Sequence, residues 1–206
     1  MRLAPAAEYR QTEGCAVRIC SFYTPDDGYP QDAARLIASL DRLGIPAEVA
    51  LIESAGSWKG NCMRRASWLL ERLRGSDQAV LWIDADAVVR SDPRPYLETL
   101  TEFDVGFHFL RGKELLGGTM LFRATPLAVL LLERWVGQNI VYPQAFRSQT
   151  NLARAVESIQ GLRVAHLPCE YTFIFDTMRT LHPDVAPVIE HFQASRRLRN
   201  AGRMML

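Results

Sequence analysis

The stretch AVLWIDADAVVRSDP, Ala79–Pro93, decides how the rest of the chain is read. Five apolar residues, Ala79 to Ile83, run straight into two acids, Asp84 and Asp86, with one alanine between them. A short unbroken apolar run bounded by polar residues fits a strand covered on both faces. Two similar strands are predicted upstream, AVRICSFYTP (16–25) and IPAEVALIE (45–53). Between them QDAARLIASLDRLG (31–44) places apolar residues at helical spacing and stops at Gly44. A second helix is predicted from about Trp58 to Gly75. The order β-α-β-α-β argues for a parallel sheet with helices on both faces. Asp84 and Asp86 then lie at the carboxyl end of a strand, where open parallel sheets bind ligands. Tyr23 and Thr24 hold the same position after the first strand.

The second half is less regular. SDPRPYLETL starts a short helix, with Asp92 as cap and Pro93 in its first turn. DVGFHFL and GGTMLFRAT are strand-like, and TPLAVLLLERWVG and SQTNLARAVES are helical. LRVAHLP, YTFIFD and PVIEHFQ are short strand candidates. The expected fold is α/β, a mixed, mostly parallel sheet in one domain over 1–206, with 1–14 a loose N-terminal arm.

Composition narrows the function classes. The 206 residues are 48% hydrophobic and 23% charged, with net charge +1, so bulk charge points neither to nucleic acid nor to an anionic membrane. The one basic cluster is the tail, with four arginines from Arg196 to Arg203. Cys15, Cys20, Cys62 and Cys169 show no metal-binding spacing. No run resembles a secretory signal or a membrane span, so a cytoplasmic protein with reduced thiols is expected.

Residues i and i+2 of an extended segment point to one side. Asp84 and Asp86 can therefore aim into one site, where a divalent cation such as Mg²⁺ or Mn²⁺ would relieve their repulsion. The plain alternative is that one acid caps a turn and the other pairs with an arginine. WIDADAV also fits the D-x-D-x-[T/V] signature of haloacid-dehalogenase-type phosphatases, in which Asp84 would be a nucleophile. That signature ends the first strand of its domain, whereas here two β-α units precede it. It also needs a later lysine and a later acidic pair. Lys113 is the only lysine after Asp86, and the adjacent pair Asp26–Asp27 lies upstream.

The order of motifs resembles GT-A glycosyltransferases, particularly glycogenin-like enzymes and related nucleotide-diphospho-sugar transferases. The likeness spans roughly 17–197. It is carried by ICSFYTPDDGYPQDAARLIASLDRLG, VLWIDADAVVRSDP, LLGGTMLFRATP and VIEHFQASRRLR. The resemblance implies a GT-A-like, Rossmann-like fold and transfer of a sugar from a nucleoside diphosphate, expected to be UDP, to an acceptor hydroxyl. It implies that Asp84, Asp86 and His191 hold Mn²⁺ or Mg²⁺, and that Arg197, six residues after His191, meets the diphosphate. Tyr23, Thr24, Trp58, Asn61 and Arg65 would line the nucleotide, and Gly117 and Gly118 would admit the sugar. Arg64 and Arg65 sit on different sides of a helix, so at most one faces the site. SQTNL stands where the family often has D-Q-x-x-L, which leaves Gln149 but puts Ser148 in place of the acid. Asp86, Gln149 and Glu114 are the candidates nearest the reacting bond. An inverting enzyme needs a carboxylate base, for which Glu114, Glu170 and Asp176 are candidates. The resemblance leans towards retention. The acceptor stays open among glycan, protein, metabolite and hydroxylated DNA base, with nucleic acid a partner only in that last sense. A domain that binds nucleotide without turnover is the non-enzyme alternative.

Overall fold

Alternation of strand and helix runs through the first half of the computed structural model, which describes residues 17–26, 28–143 and 148–196. Strand β1 (Val17–Tyr23), helix α1 (Tyr29–Arg42), β2 (Ala47–Leu51), α2 (Trp58–Leu73) and β3 (Ala79–Ile83) follow the predicted order. The expected N-terminal arm and Arg197 lie outside the described residues.

After β3 come β4 (Ala87–Val89), α3 (Arg94–Thr99), β5 (Val105–Leu110) and β6 (Glu114–Phe122). The chain continues through α4 (Pro126–Val141), α5 (Ser148–Glu157), β7 (Val164–His166) and a 3₁₀ turn, Cys169–Thr172. It then forms β8 (Phe173–Ile174), α6 (Thr177–Leu181) and β9 (Ile189–His191). The predicted start of α4 holds, whereas α3 starts at Arg94 with Pro93, not Asp92, at the N-cap. Asp92 Oδ1 accepts from Arg94 N–H at 3.0 Å, and Thr125 caps α4 ahead of Pro126. Two elements were not anticipated, β4 and α6, and YTFIFD holds only two residues of strand, Phe173–Ile174, after the end of the 3₁₀ turn.

The main sheet has the order β2-β1-β3-β6-β5-β7. Pairing is parallel for β1 with β2, β1 with β3 and β5 with β7; β6 runs antiparallel to both β3 and β5. One strand of the six is thus reversed, as the mixed, mostly parallel expectation requires. A second, small sheet has the order β4-β9-β8.

Alternate residues of the central strands feed two cores. Cys20, Phe22, Val80 and Trp82 pack with α2, α4 and α5, while Ile19, Leu81 and Ile83 pack with α1 and α3. That two-sided burial is why AVLWI carries no polar residue. Phe22, Trp68 and Trp82 meet edge to face, with ring centroids 5.1–5.7 Å apart. No helix among the described residues is long and apolar enough to cross a membrane.

The edge strand β7 is fastened by a buried acid. Asp104 accepts from the Arg163 backbone N–H at 3.0 Å and from its guanidinium at 3.1 and 2.9 Å. These bonds hold the Asp104 carboxyl below the usual carboxylate range. Asp104→Asn is expected to destabilise the fold by about 1–3 kcal/mol at neutral pH. A depressed folded pKa contributes stability above the unfolded value of about 3.9 and loses it as pH falls through the folded value. Urea midpoints of wild type and variant should therefore differ at pH 7 and converge in acid.

Candidate active site

Strand β3 delivers the two acids to a turn. Asp84 N–H donates to Gly118 O of β6 at 2.8 Å, and Ala87 N–H donates to Asp84 O at 3.0 Å. The segment is therefore not extended, as the i and i+2 argument assumed. The carboxylates converge because the turn opens directly into β4. That strand pairs antiparallel with β9, and Ala87 stands opposite His191. Phe192 N–H then donates to Asp86 O at 3.3 Å, and Ala194 N–H to Asp86 Oδ2 at 2.6 Å. Residues more than a hundred positions apart are fixed on each other by backbone pairing.

Asp84, Asp86 and His191 each present one ligand atom, and these atoms lie within 4.8 Å of one another. Two carboxylates and an imidazole suit a divalent ion such as Mn²⁺ or Mg²⁺. His191 Nδ1 faces Asp86 Oδ1 at 3.8 Å, while Nε2 makes a 2.9 Å hydrogen bond with Thr119 Oγ1. Such a second partner fixes how an imidazole presents its other nitrogen.

The plain reading of the acids is partly realised beside this cluster. Arg65 Nη1 donates to Asp84 Oδ1 at 3.0 Å, and Trp82 Nε1 to the same oxygen at 2.8 Å. Each acid thus has one oxygen held by other groups of the protein, Asp84 by Arg65 and Trp82 and Asp86 by Ala194. Burial pushes the Asp84 carboxyl up, Arg65 draws it down, and Asp86 pushes it up again.

Glycine is required where β6 passes under the site. On β5 the step from Phe107 to His108 is one residue; on β6 the partners jump from Met120 to Leu116. Gly117, Gly118 and Thr119 are therefore extra in the β5–β6 ladder, a bulge of the kind that re-aims strands at active sites. A Cβ on Gly118 would lie 2.9 Å from His191 Cε1 and 3.0 Å from Nδ1. A Cβ on Gly117 would lie 3.3 Å from Arg65 Nη1, which donates to Gly117 O at 2.6 Å. The close approach at these glycines is to His191 and Arg65; both glycines also line the cavity above.

That cavity holds about 400 Å³. Tyr23, Thr24, Trp58, Asn61 and Arg65 all line it, so the structure brings these residues together. Helix α2 presents Trp58, Asn61, Cys62 and Arg65 as one stripe at i, i+3, i+4 and i+7. Arg64 points away and donates to Glu53 O. Asn61 ties two loops: its Oδ1 accepts from Ala55 N–H at 2.6 Å, and its Nδ2 lies 3.4 Å from Thr24 Oγ1. Gln149 Nε2 donates to Glu114 Oε1 at 3.2 Å, and both line the cavity.

Two base candidates fall elsewhere. Asp176 is bonded to Arg196 and caps Thr177 N–H, which lowers its pKa, and it faces a separate surface hollow. Glu170 does not line the cavity. Sequence reasoning missed Tyr29, Cys62 and Arg196, which do. Burial raises the Tyr29 phenol well above its ordinary value and pushes the Cys62 thiol up to about 11. The α2 stripe could have revealed Cys62; Arg196 stands one residue before the arginine that the resemblance selected.

No protein-family model matches this sequence, and no curated protein does. Solved structures do match. A glycosyltransferase involved in the glycosylation of the major capsid of PBCV-1 aligns with a TM-score of 0.61 at 16% identity, over 93% of this chain and 100% of that one. Mouse xyloside xylosyltransferase 1 aligns with a TM-score of 0.57 at 13% identity, over 87% and 98%. The fold is that of the GT-A glycosyltransferases. Within the GT-A frame the Asp84–Asp86 turn ends the third strand, and the cavity opens over it.

Gly118→Ala is expected to push the imidazole of His191 off Thr119, because the three atoms nearest the added methyl all belong to that ring, at 2.9–3.4 Å. The variant should unfold at a temperature lower by several degrees, in keeping with an overpacking cost of about 1–3 kcal/mol. Its crystal structure should show the ring displaced; an unmoved ring would refute the close-contact argument.

Proposed function

We propose that the chain is a metal-dependent glycosyltransferase, transferring a sugar from a nucleoside-diphosphate sugar, with UDP as the nucleotide, to an acceptor hydroxyl. The observation that carries this reading is the Asp84, Asp86 and His191 cluster at the floor of a cavity at the carboxyl ends of β1 and β3. The glycosyltransferase descriptions of the two structural relatives support it. Among the described residues lining the cavity there is no lysine, which weighs against the phosphatase alternative.

Asp84, Asp86 and His191 would hold Mn²⁺ or Mg²⁺. Such an ion supplies positive charge to a departing diphosphate. The protein does the rest of the positioning. Tyr23, Tyr29 and Trp58 give the base aromatic and hydrogen-bonding surface next to β1. Arg65 neutralises Asp84 and fixes its orientation through a shared grip on Gly117 O. Arg196 brings a guanidinium to the same cavity, held by Asp176, and its fork suits phosphate oxygens. Arg197 keeps its proposed place on the diphosphate from the resemblance alone. Glu114 is the one base candidate of the three that lines the cavity, and in this reading it takes the proton of the attacking hydroxyl. Gln149 holds that carboxylate in place and faces the transferring sugar.

Asp86→Ala and His191→Ala should each reduce Mn²⁺-dependent hydrolysis of a UDP-sugar by at least ~100-fold. UDP with Mn²⁺ should stabilise the wild type by about 2.7 kcal/mol at a hundredfold excess over Kd, and the variants far less. Metal-independent binding in both variants would refute the cluster's role. Tight binding without turnover would instead mark a nucleotide-binding domain.

Glu114→Gln tests the base. As a base, its loss should lower kcat for transfer by roughly 10²–10⁴-fold with donor affinity retained. An unchanged kcat would send the proton to a donor phosphate oxygen, the retaining course that the resemblance favours.

A further inference from the structure

Polar side chains in the cavity wall differ in how they are engaged. Thr24 faces Asn61, Thr177 bonds Asp176, and Gln149 donates to Glu114. Ser148 and Thr172 line the same cavity, and the hydroxyl of neither makes a hydrogen bond. Both oxygens are buried, and each residue is only 2% exposed. Among the described residues three buried hydroxyls have no partner; the third, Ser21, does not line the cavity.

Ordinary structural duties do not account for the pair. Ser148 opens α5, where a serine hydroxyl commonly caps free backbone N–H groups, yet its Oγ makes no such bond. Thr172 ends the 3₁₀ turn, and its Oγ1 bonds neither that turn nor β8. A buried polar group without a partner works against folding. Such departures from full pairing concentrate at functional sites. Nothing holds either oxygen where it is, so a turn about χ1 towards a ligand breaks no hydrogen bond.

The fold puts both residues close to the acidic cluster. A Cβ on Gly117 would lie 3.6 Å from Gln149 Cβ, so the first turn of α5 meets β6 at the glycine preceding the one under His191. Thr172 stands two residues before Ile174, which pairs with His191 in the small sheet. Phosphate charge is matched in this cavity by Arg196 and by a metal ion on the acids. A neutral hydroxyl, which both donates and accepts, matches the hydroxyls of a sugar instead.

We propose that the Ser148 and Thr172 hydroxyls bind the hydroxyls of a sugar ring, either the sugar of the donor or that of a carbohydrate acceptor. The proposal rests on the glycosyltransferase reading of the same cavity. Each hydroxyl gains its missing partner only when the ring arrives. The free protein therefore gives up stability at both places in exchange for recognition, and the two properties should separate on mutation.

Ser148→Ala and Thr172→Val remove the hydroxyls with little change of shape, and Ser21→Ala removes the one away from the cavity. Calorimetry on the full chain with Mn²⁺ compares UDP with UDP-glucose, UDP-galactose and UDP-xylose. UDP release is then followed with methyl glucoside, methyl galactoside or maltose as acceptor. Without ligand, Ser148→Ala and Thr172→Val should melt no lower than wild type; a lower Tm in both would mean that the hydroxyls are already paired, and overturns the proposal. If the ring is the donor's, each variant should bind the preferred UDP-sugar about tenfold more weakly with UDP affinity unchanged. If it is the acceptor's, donor affinity should hold and KM for the carbohydrate acceptor should rise about tenfold. Thr172→Ser keeps the hydroxyl and should stay within about threefold of wild type, and Ser21→Ala should change neither affinity nor KM. An unchanged ratio of UDP-sugar to UDP affinity in both variants overturns the proposal if acceptor KM is also unchanged or no carbohydrate stimulates release. Failure of the wild type to bind UDP or any UDP-sugar overturns the glycosyltransferase reading itself.

Discussion

Everything at the site depends on one short antiparallel pairing, β4 with β9, which sets Ala87 opposite His191. Without it the two acids would end a strand facing nothing. With it, Ala194 N–H grips Asp86 and the imidazole settles over Gly118. The pairing spans only three residues on each strand, so its own hydrogen bonds are few. Its stability comes from burial: Ala87, Val89 and Ile189 belong to the same core as Leu81 and Ile83. Hydrophobic packing of the small sheet against the large one thereby sets the geometry of a polar cluster.

The polar cluster is then maintained by a ring of second partners. Thr119 holds one nitrogen of His191, Arg65 and Trp82 hold one oxygen of Asp84, and Ala194 holds one oxygen of Asp86. Like charges at this spacing repel, and the Arg65 guanidinium offsets part of that repulsion within the protein itself. Arg65 also contacts the Trp82 ring, which ties the acid's neutraliser to the strand that presents the acid.

Much of this was legible in the sequence where the signal was local. The unbroken AVLWI run, the two β-α units before it and the spacing of Trp58, Asn61 and Arg65 fixed the first half and one wall of the cavity. The pair Asp84 and Asp86, and distant His191, could be joined only through the family resemblance, since no local pattern links positions 86 and 191. Other features left no readable trace. Strand β4 is three residues long and looks like the tail of β3. The bulge at Gly117–Thr119 exists only as a mismatch between two paired strands, so neither strand's own pattern reveals it. Which carboxylate faces the cavity also depends on partners brought by folding, and this is why Asp176 and Glu170 read as well as Glu114 in the sequence.

The order of elements along the chain has a consequence for biosynthesis. A nascent chain that has emerged through His166 already contains every strand of the six-stranded sheet, from β2 at one edge to β7 at the other. It lacks β8 and β9, and with them His191 and the backbone that orients Asp86. The scaffold can therefore assemble on the ribosome while the acids still lack their third partner. The three-residue cluster is completed only by the last strand, long after the six strands of the large sheet have been made.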